Sequence, residues 1–291
     1  MITTLYTNEC RGEVIIINGN IVTSECFDPG IMNRGLSVYE VLRVKDKTPL
    51  FLEDHIERLY CSARITGAET FPSEKFINKN FHLIIENNQD KNEGNIKLLL
   101  HFPSGIEQKP DIYCYYVSHY YPSEKEYTRG VPVILENAER EKAHAKVINM
   151  KLQSSVSRKI KAKNAYEALL VNKDGFVTEG SKSNVFMISN KNVVTPPEKD
   201  VLPGITRKYI IRICRESGID ITESKIHYRE LNNYQSCFIT GTSPGVLAVK
   251  NIGTTVFDPE NEFLKIISAK YQSLVYNYIA LHKNKFNKYY Y

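Results

Sequence analysis

The 291-residue chain has no tryptophan, no Cys-x-x-Cys pair and no apolar run approaching the roughly 20 residues that cross a bilayer. Its six cysteines, Cys10, Cys26, Cys61, Cys114, Cys214 and Cys237, are scattered. Disulfide frameworks occur in short, cysteine-dense secreted chains, so reduced thiols are expected here. The start, MITTLYTNEC, lacks a basic stretch followed by an apolar one, so no signal peptide is read there. The expectation is a cytoplasmic protein without a membrane segment. Phosphate-loop, G-x-G-x-x-G, H-E-x-x-H and calcium-loop patterns are all missing, and the seven histidines are dispersed. No metal site is expected. The net charge of +5 is spread over interspersed charges of both signs. Only the tail His282–Tyr291 forms a basic run, which reads as a solvated terminus, so nucleic-acid binding is not expected.

What is present describes an ordinary globular chain. The hydrophobic share is 42% and the charged share 24%, with 19 tyrosines and 12 phenylalanines to pack a core. Val14–Val22 is two apolar runs around Asn18-Gly19, a strong hairpin signal. Val38–Val44 alternates as a strand. Ile56, Leu59, Tyr60 and Ala63 share one face of a helix predicted from about Glu53 to Thr66, stopped by Gly67. A second helix is predicted over Ser73–Glu86, followed by strands at Asn95–Phe102 and Asp111–Tyr120. The polar stretch Tyr121–Gly130 reads as a linker. After it come a strand at Val131–Leu135, a helix within about Leu152–Lys163 and a hairpin around Asp174-Gly175. Strands at Val185–Ser189 and Asn192–Thr195 precede a helix over Ile205–Ser217, strands at Ser236–Thr240 and Val246–Val249, and a final helix from about Asn261 to Leu281. Strands and helices mix without strict alternation, which predicts an α+β protein in two parts. The expected division is a smaller domain over 1–120, a linker over 121–130 and a larger domain over 131–291.

Four segments carry chemistry. Gly241-Thr242-Ser243-Pro244-Gly245 fits the G-x-S-x-G elbow of serine hydrolases, but that motif needs a following helix and Val246–Val249 reads as a strand. Leu202-Pro203-Gly204-Ile205-Thr206-Arg207 opens a helix whose first amides suit a phosphate, and Thr206 suits a simple cap as well. Thr178-Glu179-Gly180 sets a carboxylate at a strand end, to pair with a cation or face solvent. His55 and Arg58 lie three residues apart on one helical face, where Arg58 fits either a phosphate or an ion pair.

In order and spacing, RGLSVYEVLRV, FLEDHIERL, KVIN, EALLV, DGFVTEGSKSNVF, TPP, VLPGITR and FITGTSP together resemble the class IV, fold-type IV aminotransferases, from about residue 17 to 252. That family includes branched-chain and D-amino acid aminotransferases and aminodeoxychorismate lyases. The resemblance implies a two-domain α+β fold whose larger C-terminal domain has β-barrel-like sheets, a pyridoxal 5'-phosphate cofactor, and a homodimer. It implies Lys146 of K-x-x-N as the catalytic Schiff-base lysine, although Lys142 and Lys151 are close by. Glu179 would hold the pyridine nitrogen charged. Arg58, Ile205, Thr206 and Thr242 would bind the phosphate, and Leu202 would pack beneath the ring. GTSPG then becomes a phosphate and substrate loop. The implied reaction moves an amino group between an amino acid and a 2-oxo acid.

Departures fall in the substrate shell. Arg34-Gly35 stands where relatives have an aromatic residue and glycine, and Arg34 fits either a carboxylate receptor or a structural role. Tyr39, Lys97 and Ser243 complete the implied substrate contacts. Lys97 is closer to lyase-like members than to the arginine of branched-chain enzymes, and Met150 replaces a common tyrosine. Two alternatives remain open on sequence: an aminodeoxychorismate lyase releasing pyruvate and 4-aminobenzoate, and a cofactor-binding relative without turnover.

Overall fold

The computed structural model describes residues 9–190 and 192–288. The start of the chain and the end of the basic tail, both read above from sequence, lie outside them. Two compact units emerge, and they are not two consecutive stretches of sequence. The first takes the described residues through Tyr120, Ala145–Ile148 and those from Val275 onward; the second takes Tyr121–His144 and Asn149–Leu274.

The first unit is built on an antiparallel sheet. Its strands are β1 (Val14–Ile17), β2 (Asn20–Thr23), β3 (Leu36–Lys45), β4 (Thr48–Pro49), β5 (Gly94–Phe102) and β6 (Asp111–Val117), in the order β2-β1-β6-β5-β3-β4. Asn18 and Gly19 both take positive φ, 52° and 83°, which is the turn that an Asn-Gly pair favours between twisted strands. Helices α1 (Leu52–Thr66) and α2 (Glu74–Glu86) pack an apolar core with one face of this sheet. α1 ends at Gly67 with φ 97°, and α2 begins on Ser73, whose side chain accepts from the Phe76 amide. Period-two alternation along β3 sends Val38, Leu42 and Val44 into that core. Ser37 and Tyr39 therefore face the other way, and register places Lys97, Leu99 and His101 of β5 beside them on that second face.

Ala145–Ile148 adds to β3 as a short antiparallel extension. Val147 bridges Val38, the Tyr39 amide donates to the Lys146 carbonyl at 3.0 Å, and the Ile148 amide donates to the Ser37 carbonyl at 3.0 Å.

The second unit contains α3 (Glu124–Arg129), β7 (Val131–Asn137), α4 (Met150–Ala162), β8 (Glu167–Val171), β9 (Phe176–Gly180), β10 (Asn184–Ser189), β11 (Asn192–Thr195), α5 (Ile205–Glu216), β12 (Asp220–Glu223), β13 (Ile226–His227), β14 (Ser236–Gly241), β15 (Gly245–Ile252) and β16 (Thr255–Val256). Its ten-stranded sheet runs β12-β11-β10-β14-β15-β7-β8-β9-β13, with β16 on β15. Pairs β7–β8, β7–β15 and β11–β12 are parallel and the rest antiparallel. β9, near one end of the order, also touches β10, near the other, so the sheet rolls into a half-barrel around an apolar core. Tyr121–Gly130, expected as a linker, is mostly α3. Ser123 and Glu126 form a reciprocal capping box, and Tyr127 donates to the Pro244 carbonyl at 2.9 Å.

The last helix, α6 (Glu262–Lys288), contributes to both units. In the first, its Tyr278 hydroxyl accepts the Leu52 amide at 3.2 Å and donates to Glu53 at 2.7 Å. Phe51, the N-cap of α1, is left-handed and offers no side-chain bond, so a tyrosine 226 residues along the chain caps this helix instead. Tyr278→Phe is expected to lower stability by about 1 kcal/mol, read as a shifted denaturant midpoint. An unchanged midpoint would show that the cap contributes nothing.

Candidate active site

In the first unit, the strand extension fixes Lys146. Besides its carbonyl's bond from the Tyr39 amide, its own amide donates to Ser62 Oγ of α1 at 3.1 Å. Its ammonium lies over the Tyr39 ring, 4.9 Å from the centroid, and Lys97 lies 5.1 Å from the same centroid. Lys146 is half-buried, whereas Lys142 and Lys151 are exposed.

The His55–Arg58 spacing on α1 turns out to serve a buried carboxylate. Arg58 Nε and Nη2 donate to the two oxygens of Glu40 at 2.8 and 2.7 Å, and His55 Nδ1 lies 2.7 Å from Glu40 Oε2. Glu40 and His55 are almost wholly buried. Burial pushes the Glu40 carboxyl up, but Arg58 and His55 beside it outweigh that and hold it at about 2. Burial drives the His55 imidazole down, against the pull of Glu40, and Arg58 and Lys146 lower it further. Arg58 is therefore anchored through two of its nitrogens. Arg34 is exposed and pairs with Asp28 at 2.6 Å. Gly35 has φ 65°, and a Cβ there would run into the Phe102 carbonyl, which explains the glycine.

In the second unit, Glu179 is the penultimate residue of β9 and is 3% exposed. Arg140 Nε pairs with its Oε1 at 2.8 Å, and the Leu202 amide donates to its Oε2 at 3.3 Å. Arg140 Nη2 also donates to the Ser181 carbonyl at 2.6 Å. The loop after Glu179 wraps a second buried carboxylate: Glu167 accepts from Ser181 Oγ at 2.6 Å, the Lys182 amide at 3.1 Å and Ser183 Oγ at 3.0 Å. Leu202, Ile205 and Thr206 are buried together at the start of α5. Gly204, its N-cap, has no side chain to satisfy the first amides, and a Cβ there would strike Asn184 Oδ1. Thr206 Oγ1 lies 3.3 Å from the Tyr271 hydroxyl. Thr242 and buried Ser243 form the turn joining β14 to β15, where Gly241 pairs with Gly245. A hairpin, and no helix, follows Ser243, so the hydrolase elbow is absent.

Arg34, Arg58, Tyr39, Lys97 and Lys146 thus belong to the first unit, and Glu179, Leu202, Ile205, Thr206, Thr242 and Ser243 to the second; among them, Tyr39 meets Lys97 and Lys146, and Glu179 meets Leu202. Sequence reasoning missed Glu40, Arg140 and Glu167. Glu40 had a signal, a charge in the middle of an alternating apolar strand. Arg140 and Glu167 had none beyond their residue type. Among the described residues no helix is long and apolar enough to cross a membrane, and no cluster of His, Cys, Asp and Glu could hold a metal.

A six-stranded antiparallel sheet backed by two helices, together with a rolled mixed sheet, is the architecture of fold-type IV enzymes. The branched-chain aminotransferase of Thermoproteus uzoniensis, solved with norvaline, superposes with a TM-score of 0.81 over 93% of this chain and 98% of that one, at 23% identity. In sequence, the chain is 29% identical to D-alanine aminotransferase of Bacillus licheniformis, over 83% of this chain and 89% of that protein. It is 26% identical to a candidate branched-chain-amino-acid aminotransferase of Methanocaldococcus jannaschii, over 89% and 96%. The profile of the amino-transferase class IV family matches residues 37–252. The chain belongs to that family and is a transaminase.

Proposed function

We propose that this enzyme moves an amino group between an amino acid and a 2-oxo acid with pyridoxal 5'-phosphate, the cofactor of class IV aminotransferases, held covalently by Lys146. We further infer that it is a cytoplasmic homodimer, a reading supported by the family match. The observation that supports Lys146 is its setting. Of the three lysines around K-x-x-N, it alone is half-buried, tied to β3 and α1 by backbone bonds and set over an aromatic ring.

The donor set fits the cofactor. Glu179 is a buried carboxylate with its oxygens aligned by Arg140 and the Leu202 amide, suited to a protonated ring nitrogen. The α5 N-terminus, uncapped because Gly204 has no side chain, presents amides and the Thr206 hydroxyl to a phosphate. Thr242, and Arg58 braced by Glu40, would add donors, and Leu202 would give an apolar floor. When bound, the cofactor supplies an electron sink for the carbanion formed at the substrate α-carbon. Lys146 Nζ would take the α-proton as general base and later return it as acid. Arg140, paired with Glu179 and bonded to the Ser181 carbonyl, would hold that carboxylate in place. Tyr39, Arg34, Lys97 and Ser243 are the proposed substrate contacts.

The matched relatives are aminotransferases, which favours transfer over the lyase alternative. The test is a half-reaction. Protein reconstituted with pyridoxal phosphate and given L- or D-amino acids alone should accumulate pyridoxamine phosphate stoichiometrically and stop until a 2-oxo acid is added. Continuous release of pyruvate from aminodeoxychorismate without an acceptor would establish the lyase instead. No conversion with any donor would leave a binding protein.

A further inference from the structure

The face of the six-stranded sheet turned away from α1 and α2 carries a second charged arrangement beside Lys146. The Lys97 side chain is only 9% exposed. An ammonium so far from water needs a carboxylate. Glu9 supplies it, with Oε1 at 2.5 Å from Lys97 Nζ. Glu9 precedes β1 on a segment tied to β6, through the Cys10–Val117 bridge and an Arg11 amide donating to the Tyr116 carbonyl at 2.9 Å. The Tyr115 hydroxyl lies 3.5 Å from the other Glu9 oxygen, and Met32 Sδ lies 3.9 Å from Lys97 Nζ. The Lys97 and Lys146 nitrogens each lie about 5 Å from the Tyr39 ring centroid. The two lysines therefore share one aromatic neighbour.

We propose that Glu9 determines side-chain specificity: by holding Lys97 in a neutral pair, it sets the enzyme for amino acids and 2-oxo acids with uncharged side chains and against dicarboxylates. The proposal rests on Lys146 being the reactive lysine. The substrate contact implied at position 97 is a cation, and here a resident carboxylate already occupies it. A second carboxylate must either displace Glu9 or crowd it, and two like charges around one shielded ammonium repel strongly. An uncharged side chain meets the Tyr39 ring and the Met32 thioether without that repulsion.

The experiment compares wild type, Glu9→Gln, Glu9→Ala and the double variant Glu9→Gln/Lys97→Met, each loaded with pyridoxal phosphate. Two readouts are taken. One is calorimetric binding of glutarate against butyrate, which do not react. The other is kcat/KM for 2-oxoglutarate against 2-oxobutyrate. Wild type is expected to prefer the monocarboxylate in both. Glu9→Gln and Glu9→Ala should raise the dicarboxylate-to-monocarboxylate ratio by about tenfold or more, and the double variant should lose that gain. A wild-type preference for glutarate, an unchanged ratio in both Glu9 variants, or a gain that survives in the double variant would overturn the proposal. If instead the assignment of Lys146 is wrong, turnover is absent or independent of Lys146. The glutarate gain on Glu9→Gln, and its loss with Lys97, would still appear by calorimetry.

Discussion

Lys146→Ala should eliminate covalent retention of pyridoxal phosphate and cut amino transfer by about four orders of magnitude or more, while Lys142→Ala and Lys151→Ala keep both. The three lysines are close in sequence but not in surroundings. Lys142 and Lys151 are exposed, the latter on the first turn of α4. Nothing there would hold an amine against one carbon of a bound ligand. Lys146 sits on a strand extension whose neighbours Val147 and Ile148 are both bonded or bridged to β3. Its backbone is therefore held against β3, its carbonyl accepting from Tyr39 beside the Val147–Val38 bridge, which is the positioning that covalent and proton-transfer chemistry requires. Alanine preserves every one of those backbone bonds, so the variant should fold. Borohydride treatment of the reconstituted protein followed by peptide mapping should find the cofactor mass on residue 146 and nowhere else. An adduct on Lys142 or Lys151, or full activity in Lys146→Ala, would move the assignment.

Local pattern was legible because it rests on local physics. The Asn18-Gly19 turn, the stop at Gly67, the cap at Ser73 and the alternation in β3 each involve residues within a turn or two of one another, and all lie where the pattern put them. The capping box of α3 was equally present in Ser123-Glu124-Lys125-Glu126, but charge and proline nearby made the stretch read as a linker. β12 and β13 were invisible for a different reason. They are short, and β12 exists because β11 offers it a parallel partner. The candidate site divides the same way. Glu179, Thr206 and Lys146 stood out through motif spacing. Their partners did not: Arg140 reaches Glu179, Glu167 gathers the Ser181–Ser183 loop, and Glu9 reaches Lys97 across 88 positions. Pairings set by tertiary contact leave no period in a single sequence, so a buried charge is foreseeable and its partner is not.

Glu40 shows what such a pairing is worth, and it gives the second large effect. Its carboxyl lies at about 2 in the folded chain against an ordinary 4.5. With the folded value depressed, the unfolded chain binds the proton more tightly. The stabilisation is then fully present above about 4.5 and is lost as pH falls toward 2. That difference corresponds to about 3 kcal/mol. His55 acts in the same sense at a higher window: its depressed folded value means stability begins to fall once pH drops below about 6.5, where the unfolded imidazole charges. Urea unfolding from pH 8 to 3 should therefore show a first loss below pH 6.5 and a steeper one below pH 4.5. Glu40→Gln keeps the shape and removes the charge. It leaves the Arg58 guanidinium, whose side chain is 10% exposed, without its carboxylate, and should lower stability at pH 7 by about 3–5 kcal/mol while flattening the acid limb. It should also weaken phosphate binding, because an amide NH2 replaces one of the two acceptors that fix the Arg58 plane and the bond that remains is no longer charge-assisted on both sides. Cofactor affinity should fall in Glu40→Gln even under conditions where the variant is fully folded. A variant as stable as wild type, with the same acid limb and the same affinity, would mean that Glu40 neither holds the fold nor aims Arg58.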